Sequence, residues 1–471
     1  MFKHFLGTFI LALMIVMLSG CSDNFGGGGG GGGTLTLITT DADGNGFYDA
    51  TWVGVQDGNG GWTAMTSSGT GQYSANITDA NGRYGVAIIY DDGGEAYVRI
   101  IQGTLAEMPA IVYPLPGVDA EWAQTVTVSG NLYHSFGSSY GLISIGKASS
   151  GTGTQQYNYF LTAEAGNPLD VVGMQTDYQY NPTNIYLDRA FNGAGPTASL
   201  NIFFNGEGTF APDHYTINFP GGWEWQNSTS VLFTTHGTKA MMGENAVLPA
   251  DQRDPADLYL LQADAGQSHG NWMIYNTAFT NPADVTIPTP PDFAVPTITL
   301  DATMPYIRPT ITLTPVAAAD AYTFYFDQNS PNDVVWDVTV TPGWLGTNDT
   351  YTLPDLATGN SDWQSNWEIG LDEDEGDLSV NCTTSLIDTN ALVTAVNLFY
   401  DYDSGRGYPL PLTDGMQHMM VMNWPDVPNM QAISVRSGPR DSALKCQRDA
   451  TRHQSLKPVG NGNILDNLYS M

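Results

Sequence analysis

Apolar and polar residues alternate along most of the chain in short runs, separated by Gly, Asn, Asp and Pro. Thr34–Thr39 reads T-L-T-L-I-T, Tyr84–Tyr90 reads Y-G-V-A-I-I-Y, Tyr97–Gln102 reads Y-V-R-I-I-Q and Thr125–Ser129 reads T-V-T-V-S. The pattern returns at Leu142–Ile145, Asp257–Gln262, Thr297–Leu300, Thr310–Leu313, Tyr322–Phe326 and Asp337–Val340. A period of two sends alternate side chains to opposite faces of a strand, so each run predicts a β-strand with one buried face. Regular spacing with turn residues between runs predicts an all-β chain of tandem antiparallel β-sandwiches. Helical spacing is scarce after the first twenty residues. Asp388–Tyr400 (D-T-N-A-L-V-T-A-V-N-L-F-Y) fits it best, and fits a pair of strands equally well.

Proline-rich joints mark the boundaries. Pro109–Pro116 closes a first unit, expected at 34–118, and the segment from Pro282 to Pro296 reads as extended, semi-rigid chain. Sandwiches are therefore expected at 34–118, 122–206, 207–284 and 297–436, with a linker at 285–296. The second unit holds L-T-A-E-A-G-N-P-L-D-V-V-G-M at Leu161–Met174 and I-Y-L-D-R at Ile185–Arg189. That order resembles the carboxypeptidase-regulatory-like sandwich, which implies an Ig-like arrangement of two sheets. The first unit carries W-V-G-V-Q-D-G-N-G-G-W from Trp52 to Trp62. It resembles modules of bacterial surface lipoproteins, and that resemblance implies no particular activity.

Before the first strand the chain changes character. Lys3 and His4 precede an apolar run of thirteen residues, Leu6–Leu18, too short to span a bilayer but suited to the core of a secretory signal. Leu18-Ser19-Gly20-Cys21 follows and resembles the lipobox of bacterial lipoproteins. The resemblance implies removal of residues 1–20 and acylation of Cys21, which then anchors the chain in membrane lipid. Ser22, rather than Asp, after that cysteine implies the outer membrane or cell surface. Residues 21–33 form the lipidated cysteine and a tether. The eight glycines Gly26–Gly33 cannot pack, and the twelve residues Ser22–Gly33 reach about 20 Å as a flexible coil. Acyl methylenes at about 0.8 kcal/mol each supply the anchoring without a transmembrane helix.

Composition narrows the partners. Apolar residues at 42% are enough for real cores, while acids outnumber bases 48 to 15. A net charge of −33 repels nucleic acid and anionic lipid headgroups and attracts cations. Six of the fifteen bases fall between Arg436 and Lys457, so residues 437–471 read as a basic, disordered tail. Besides Cys21 there are two cysteines, Cys382 and Cys446, which could pair outside the cytoplasm.

Five motifs bear on chemistry. Asp41, Asp43, Asn45, Phe47 and Asp49 place oxygens at loop positions one, three, five, seven and nine with Gly46 at six, a spacing that suits calcium. Trp52 stands where an EF-hand has its bidentate Glu, so another acid such as Asp57 or Asp79 would be needed. A plain turn between strands explains the same residues, as it does for the similar runs at Asp57–Gly60 and Asp79–Gly82. Met416, His418, Met420 and Met422 share one strand face, a soft set that suits Cu(I) or simply fills a core. Gly137, Ser139 and Gly141 satisfy G-x-S-x-G, but Leu142–Ile145 after them is strand-like, where a nucleophile elbow needs a helix. Glu368, Asp372 and Asp374 could pair carboxylates as in a glycosidase, or form a solvated acidic loop. Trp223, Trp225, Trp363 and Trp367 sit in polar, glycine-flanked contexts and are candidates for stacking on sugars.

Together these features predict a lipid-anchored surface protein that binds or displays, with a glycan or a surface protein as ligand and calcium as a stabiliser. An enzyme acting on glycosides is the alternative.

Overall fold

The computed structural model describes residues 32–41, 46–91, 93–115, 118, 124–134, 139–179, 181–267, 271–301, 306–328, 332–370, 378–387, 414–415 and 417–423. Each of the ten alternating runs named above forms a strand, usually longer than the run by one to four residues, with Asp257 and Leu313 falling just outside theirs. Among the described residues, helix is confined to Pro342–Leu345 and two single 3-10 turns, and no helix is long and apolar enough to cross a membrane. The chain is all-β, as the alternation predicts. Asp388–Tyr400 lies outside the described residues.

A twelve-stranded sheet dominates. From one edge it runs through Lys239–Gly243, Glu224–Phe233, Leu258–Gly266, Trp272–Phe279, Gln417–Asn423 and Leu378–Ile387. It continues through Ala321–Gln328, Val334–Val340, Ala96–Thr104, Arg83–Asp91, Trp52–Asp57 and Trp62–Ala64. Strand pairing therefore passes between stretches expected to be separate units. Ala96–Thr104 lies parallel to Val334–Val340, with Arg99 opposite Asp337, and Trp272–Phe279 pairs with Gln417–Asn423. Both pairings complete ladders that would otherwise leave N–H and C=O groups of buried strands without partners.

One face of this sheet is covered by a continuous core that includes Leu261, Tyr275, Phe324, Trp336 and Val98. Ile298 and Ile311, from the small sheet Thr297–Asp301, Arg308–Thr312 and Thr350–Thr352, pack into the same core. On the opposite face, Val53, Val86, Ile88 and Ile101 pack under Leu35, Leu37 and Ile111 of a four-stranded sheet, making a sandwich of the first unit. Its strands Gly33–Thr40 and Ala110–Pro114 run parallel, as do Thr125–Tyr133 and Thr197–Ser199, so the sheets are mixed rather than purely antiparallel. The proline-rich segment expected as a spacer is partly core: Ile287 and Phe293 are buried, and Asn423 Nδ2 donates to the Phe293 carbonyl at 2.7 Å. Its apolar side chains gain more by burial than an exposed spacer would allow.

The second unit has its own core. Tyr140–Ile145, Gly166–Thr176 and Pro182–Gly193 belong to a five-stranded sheet, and Asn158–Glu164, Thr125–Tyr133 and Thr197–Ser199 form the sheet that faces it. Val126, Val128, Leu132, Ile143, Leu161 and Val171 fill the space between. The unit meets the segment after Glu224–Phe233 through a buried ionic cluster. The Arg189 guanidinium lies between the carboxylates of Asp257, at 2.5 Å, and Asp170, at 3.4 Å, and neither carboxylate is exposed.

Candidate binding surface

Two acids of the Asp41–Asp49 loop, Asp41 and Asp49, accept hydrogen bonds that shape the turns around it. Asp41 is buried, and its Oδ2 accepts the Gly46 N–H at 3.1 Å. Asp49 Oδ1 accepts the Gly71 N–H at 2.7 Å and the Tyr73 hydroxyl at 3.3 Å, which holds the turn before Gln72–Ile77. Phe47 is partly exposed, while Asp43 and Asn45 lie outside the described residues. Asp57 and Asp79, the candidate additional ligands, serve the other turns. Burial works to raise the Asp57 carboxyl, but hydrogen bonds from Thr78 and Asp79 outweigh it and hold it below the usual range. Gly58 at φ 55° supplies the left-handed residue that the D-G-N-G turn needs. Among the described residues, no three His, Cys, Asp or Glu side chains gather as a metal site. The described ligands alone therefore do not assemble a calcium site.

Three of the four candidate tryptophans pack into or against the main core. Trp367 is fully buried and donates from Nε1 to Asp91 Oδ2 at 2.8 Å, and its ring lies edge-on to Trp363 with centroids 5.5 Å apart. Trp363 stacks on Tyr306 and donates to Glu368 Oε1 at 2.9 Å. Burial takes Trp367 out of reach of a sugar, while Trp363 is half-buried at the edge of the same core. Trp223 is buried as well, and Trp225 alone of the four is open to solvent. Glu368 is tied to this aromatic group, and its proposed partners Asp372 and Asp374 lie outside the described residues.

His418, Met420 and Met422 do share a strand face, the two methionines packed with Ile274 and Trp272 and His418 opposite Asn276, while Met419 and Val421 enter the main core. Burial pushes the His418 imidazole down to about 3, so it stays neutral at ordinary pH. Met416 lies outside the described residues. Ser139 is buried and hydrogen-bonded to His134 Nδ1 at 3.2 Å, and a strand begins at the next residue, so the elbow geometry is absent. Cys382 sits in Leu378–Ile387, and Cys446 lies outside the described residues, as does Cys21.

Three exposed aromatic side chains, Phe160, Phe203 and Tyr133, lie elsewhere, on the outer face of the second unit. Three strand segments there repeat asparagine–apolar–aromatic: Asn131-Leu132-Tyr133, Asn158-Tyr159-Phe160 and Asn201-Ile202-Phe203. In each triplet the middle side chain is buried and the aromatic points outward. Strand register aligns the triplets. Asn158 is opposite Asn131, and Ile202 and Phe203 run beside Leu132 and Tyr133, so the three asparagines form one row. Asn131 Nδ2 donates to Asn201 Oδ1 at 3.1 Å, fixing that row. Tyr133 and Phe203 stack with centroids 4.4 Å apart and planes 13° from parallel, and Tyr157 tilts against Tyr133 at 5.4 Å.

On the far side of the asparagine row, Phe160 is opposite Ser129, which in turn runs beside Ser199. Thr162, Thr127 and Thr197 form the row beyond. Phe203 is 52% exposed and Phe160 67%, values that no core role explains. The backbone beneath this face is closely packed. A side chain at Gly130 would bring its Cβ to 1.8 Å from the Leu200 carbonyl oxygen, so only glycine lets the 199–201 segment lie this close. The Tyr159 hydroxyl then donates to that same carbonyl at 2.9 Å. The triplet alone does not mark the face in the sequence, since it also occurs at Asn184–Tyr186, Asn397–Phe399 and Asn467–Tyr469; strand register singles out the three that share it.

No protein-family model and no curated protein matches the chain. Among solved structures, it is similar to a tetra-tandem repeat in the extending region of a large adhesion protein, at 13% identity, covering 75% of this chain and 95% of that one with a TM-score of 0.13. It is similar also to the Bacillus anthracis TIE protein, at 10% identity, 55% and 49% coverage and a TM-score of 0.14. A third is the chicken CNTN1 FN1–FN3 domains, at 8% identity, 54% and 90% coverage and a TM-score of 0.14. Scores this low carry no functional inference.

Proposed function

We propose that this chain is a lipid-anchored binding and display protein of the cell surface. Acylated Cys21 holds it in the membrane, the glycine tether keeps the folded body clear of the lipid, and the β-sandwich body presents a ligand-binding face. The observation that carries the reading is the outer face of the second unit, where Tyr133, Phe203 and Phe160 stand exposed on one sheet. Large exposed rings gathered on one face mark interaction surfaces, since scattered surface apolar residues need no such alignment. The acidic body supports extracellular solubility and repels nucleic acid.

Intact cells producing the wild-type chain or Cys21→Ala test this directly. Antibody is expected to label wild-type cells without permeabilisation, and those cells are expected to attach to a ligand-bearing surface better than cells lacking the protein. Cys21→Ala is expected to be shed into the medium with loss of both signals. Wild-type protein found only inside the cell, or attachment unchanged by deletion, contradicts the proposal.

A further inference from the structure

We infer that the outer face of the second unit binds an uncharged polysaccharide, an inference that rests on the proposed surface-binding role and names its ligand class. The chemistry of the face distinguishes this ligand from others. Sugar rings present C–H faces that stack on aromatic side chains, and a rim of hydroxyls that need donors and acceptors together. The sheet supplies both in alternating rows. Tyr133 and Phe203 form one aromatic row, Asn158, Asn131 and Asn201 the amide row beside it, and Phe160 opens the next.

Spacing favours an extended chain over a single sugar. Phe160 is opposite Ser129, four residues along the strand from Tyr133. At about 3.4 Å per residue the two ring positions lie about 13–14 Å apart along the strand, which requires a ligand longer than one ring. The asparagine row lies between them. An asparagine amide both donates and accepts, so it satisfies a hydroxyl of either orientation.

Charge selects against anionic glycans. The aromatic, amide, serine and threonine rows carry no charged side chain, and the whole chain carries −33. An acidic polymer would bring like charge toward the protein, and among the described residues these rows offer no base to receive it. A protein partner is also a poorer fit, because the apolar rings are separated by hydrogen-bonding side chains instead of forming one contiguous apolar core.

Affinity electrophoresis of the full-length mature chain in detergent tests the inference, using hydroxyethylcellulose, xyloglucan and mannan as neutral polymers and alginate as the acidic one. At least one neutral polymer is expected to retard the wild type, and alginate to leave it unretarded. Tyr133→Ala/Phe203→Ala is expected to weaken retardation by at least about ten-fold, with Tyr133→Trp retaining it. Phe160→Ser, at the most exposed ring, gives an independent variant with little consequence for folding, and it too is expected to lose affinity. Absence of retardation by every neutral polymer, equal retardation of the ring variants and the wild type, or equally strong retention by alginate overturns the inference. Cell attachment separates it from the broader proposal: ring variants that attach as the wild type does overturn the glycan assignment and leave surface binding standing.

Discussion

Arg99 and Asp337 face each other across the parallel ladder that joins the first unit to the distant strand Val334–Val340, and they form a buried ion pair. Arg99 also donates to Thr339 Oγ1 at 2.7 Å, and both charged side chains lie within the sheet. Removing one partner leaves the other charge buried, at a cost of about 3–5 kcal/mol, whereas replacing both by apolar residues restores most of it. Urea unfolding of Arg99→Met is therefore expected to show a large fall in midpoint, and Arg99→Met/Asp337→Leu a midpoint near the wild type. Equal losses in the two variants would show that the pair is needed for more than charge balance.

Asp264 gives the fold a pH dependence of unusual sign. Burial pushes its carboxyl up to about 7, against the hydrogen bond from Gln262 Nε2 at 3.2 Å, which works to lower it. An acid whose folded pKa exceeds its unfolded value stabilises the native state most fully below about pH 4. That contribution is lost as pH rises through about 7, with a slope of up to about 1.4 kcal/mol per unit between the two values. Asp264→Asn is expected to flatten stability between pH 4 and 7 and to be the more stable protein at pH 8. A slope unchanged by the substitution would assign the effect to another group.

Arg189 is the keystone of the joint between the second unit and its neighbour. It stands between Asp170 and Asp257, while His236 Nδ1 contacts Asp170 Oδ1 at 2.8 Å from a more exposed position. Arg189→Ala strands two buried carboxylates and is expected to cost about 3–5 kcal/mol. His236→Ala leaves the guanidinium in place and is expected to cost about 0.5–1.5 kcal/mol. Chemical denaturation orders the two, and the reverse order would contradict this reading of the cluster.

The strands were legible because burial of one face imposes alternation residue by residue, as at Thr125–Ser129 and Tyr322–Phe326. Their assembly was not. Nothing in the local pattern of Ala96–Thr104 says that its free edge is completed by Val334–Val340, because the choice of partner depends on where the whole chain has travelled. The binding face was hidden for a related reason. Tyr133, Phe160 and Phe203 are ordinary strand residues until register brings them onto one surface, whereas Trp363 and Trp367 are prominent in the sequence and their rings serve the core.

A stability measurement tests calcium binding by the Asp41–Asp49 loop directly. A cation held by the native Asp41–Asp49 loop and not by the unfolded chain stabilises by about 2.7 kcal/mol at a concentration one hundred times its Kd. Calcium binding predicts a Tm lowered by EDTA and restored by excess calcium, and a Tm of Asp41→Asn indifferent to both. Asp49→Ala is expected to lose about 1–3 kcal/mol in EDTA as well, because the Gly71 N–H and Tyr73 hydroxyl lose their acceptor. A wild-type Tm that EDTA does not move removes calcium from the loop.

Anchoring outside the cell is tested most directly by mass spectrometry of the protein purified from its natural membrane. The expected N-terminal peptide begins at Cys21 and carries acyl chains on that residue. A peptide that retains residues 1–20, or an unmodified Cys21 thiol in the mature protein, would contradict the central claim.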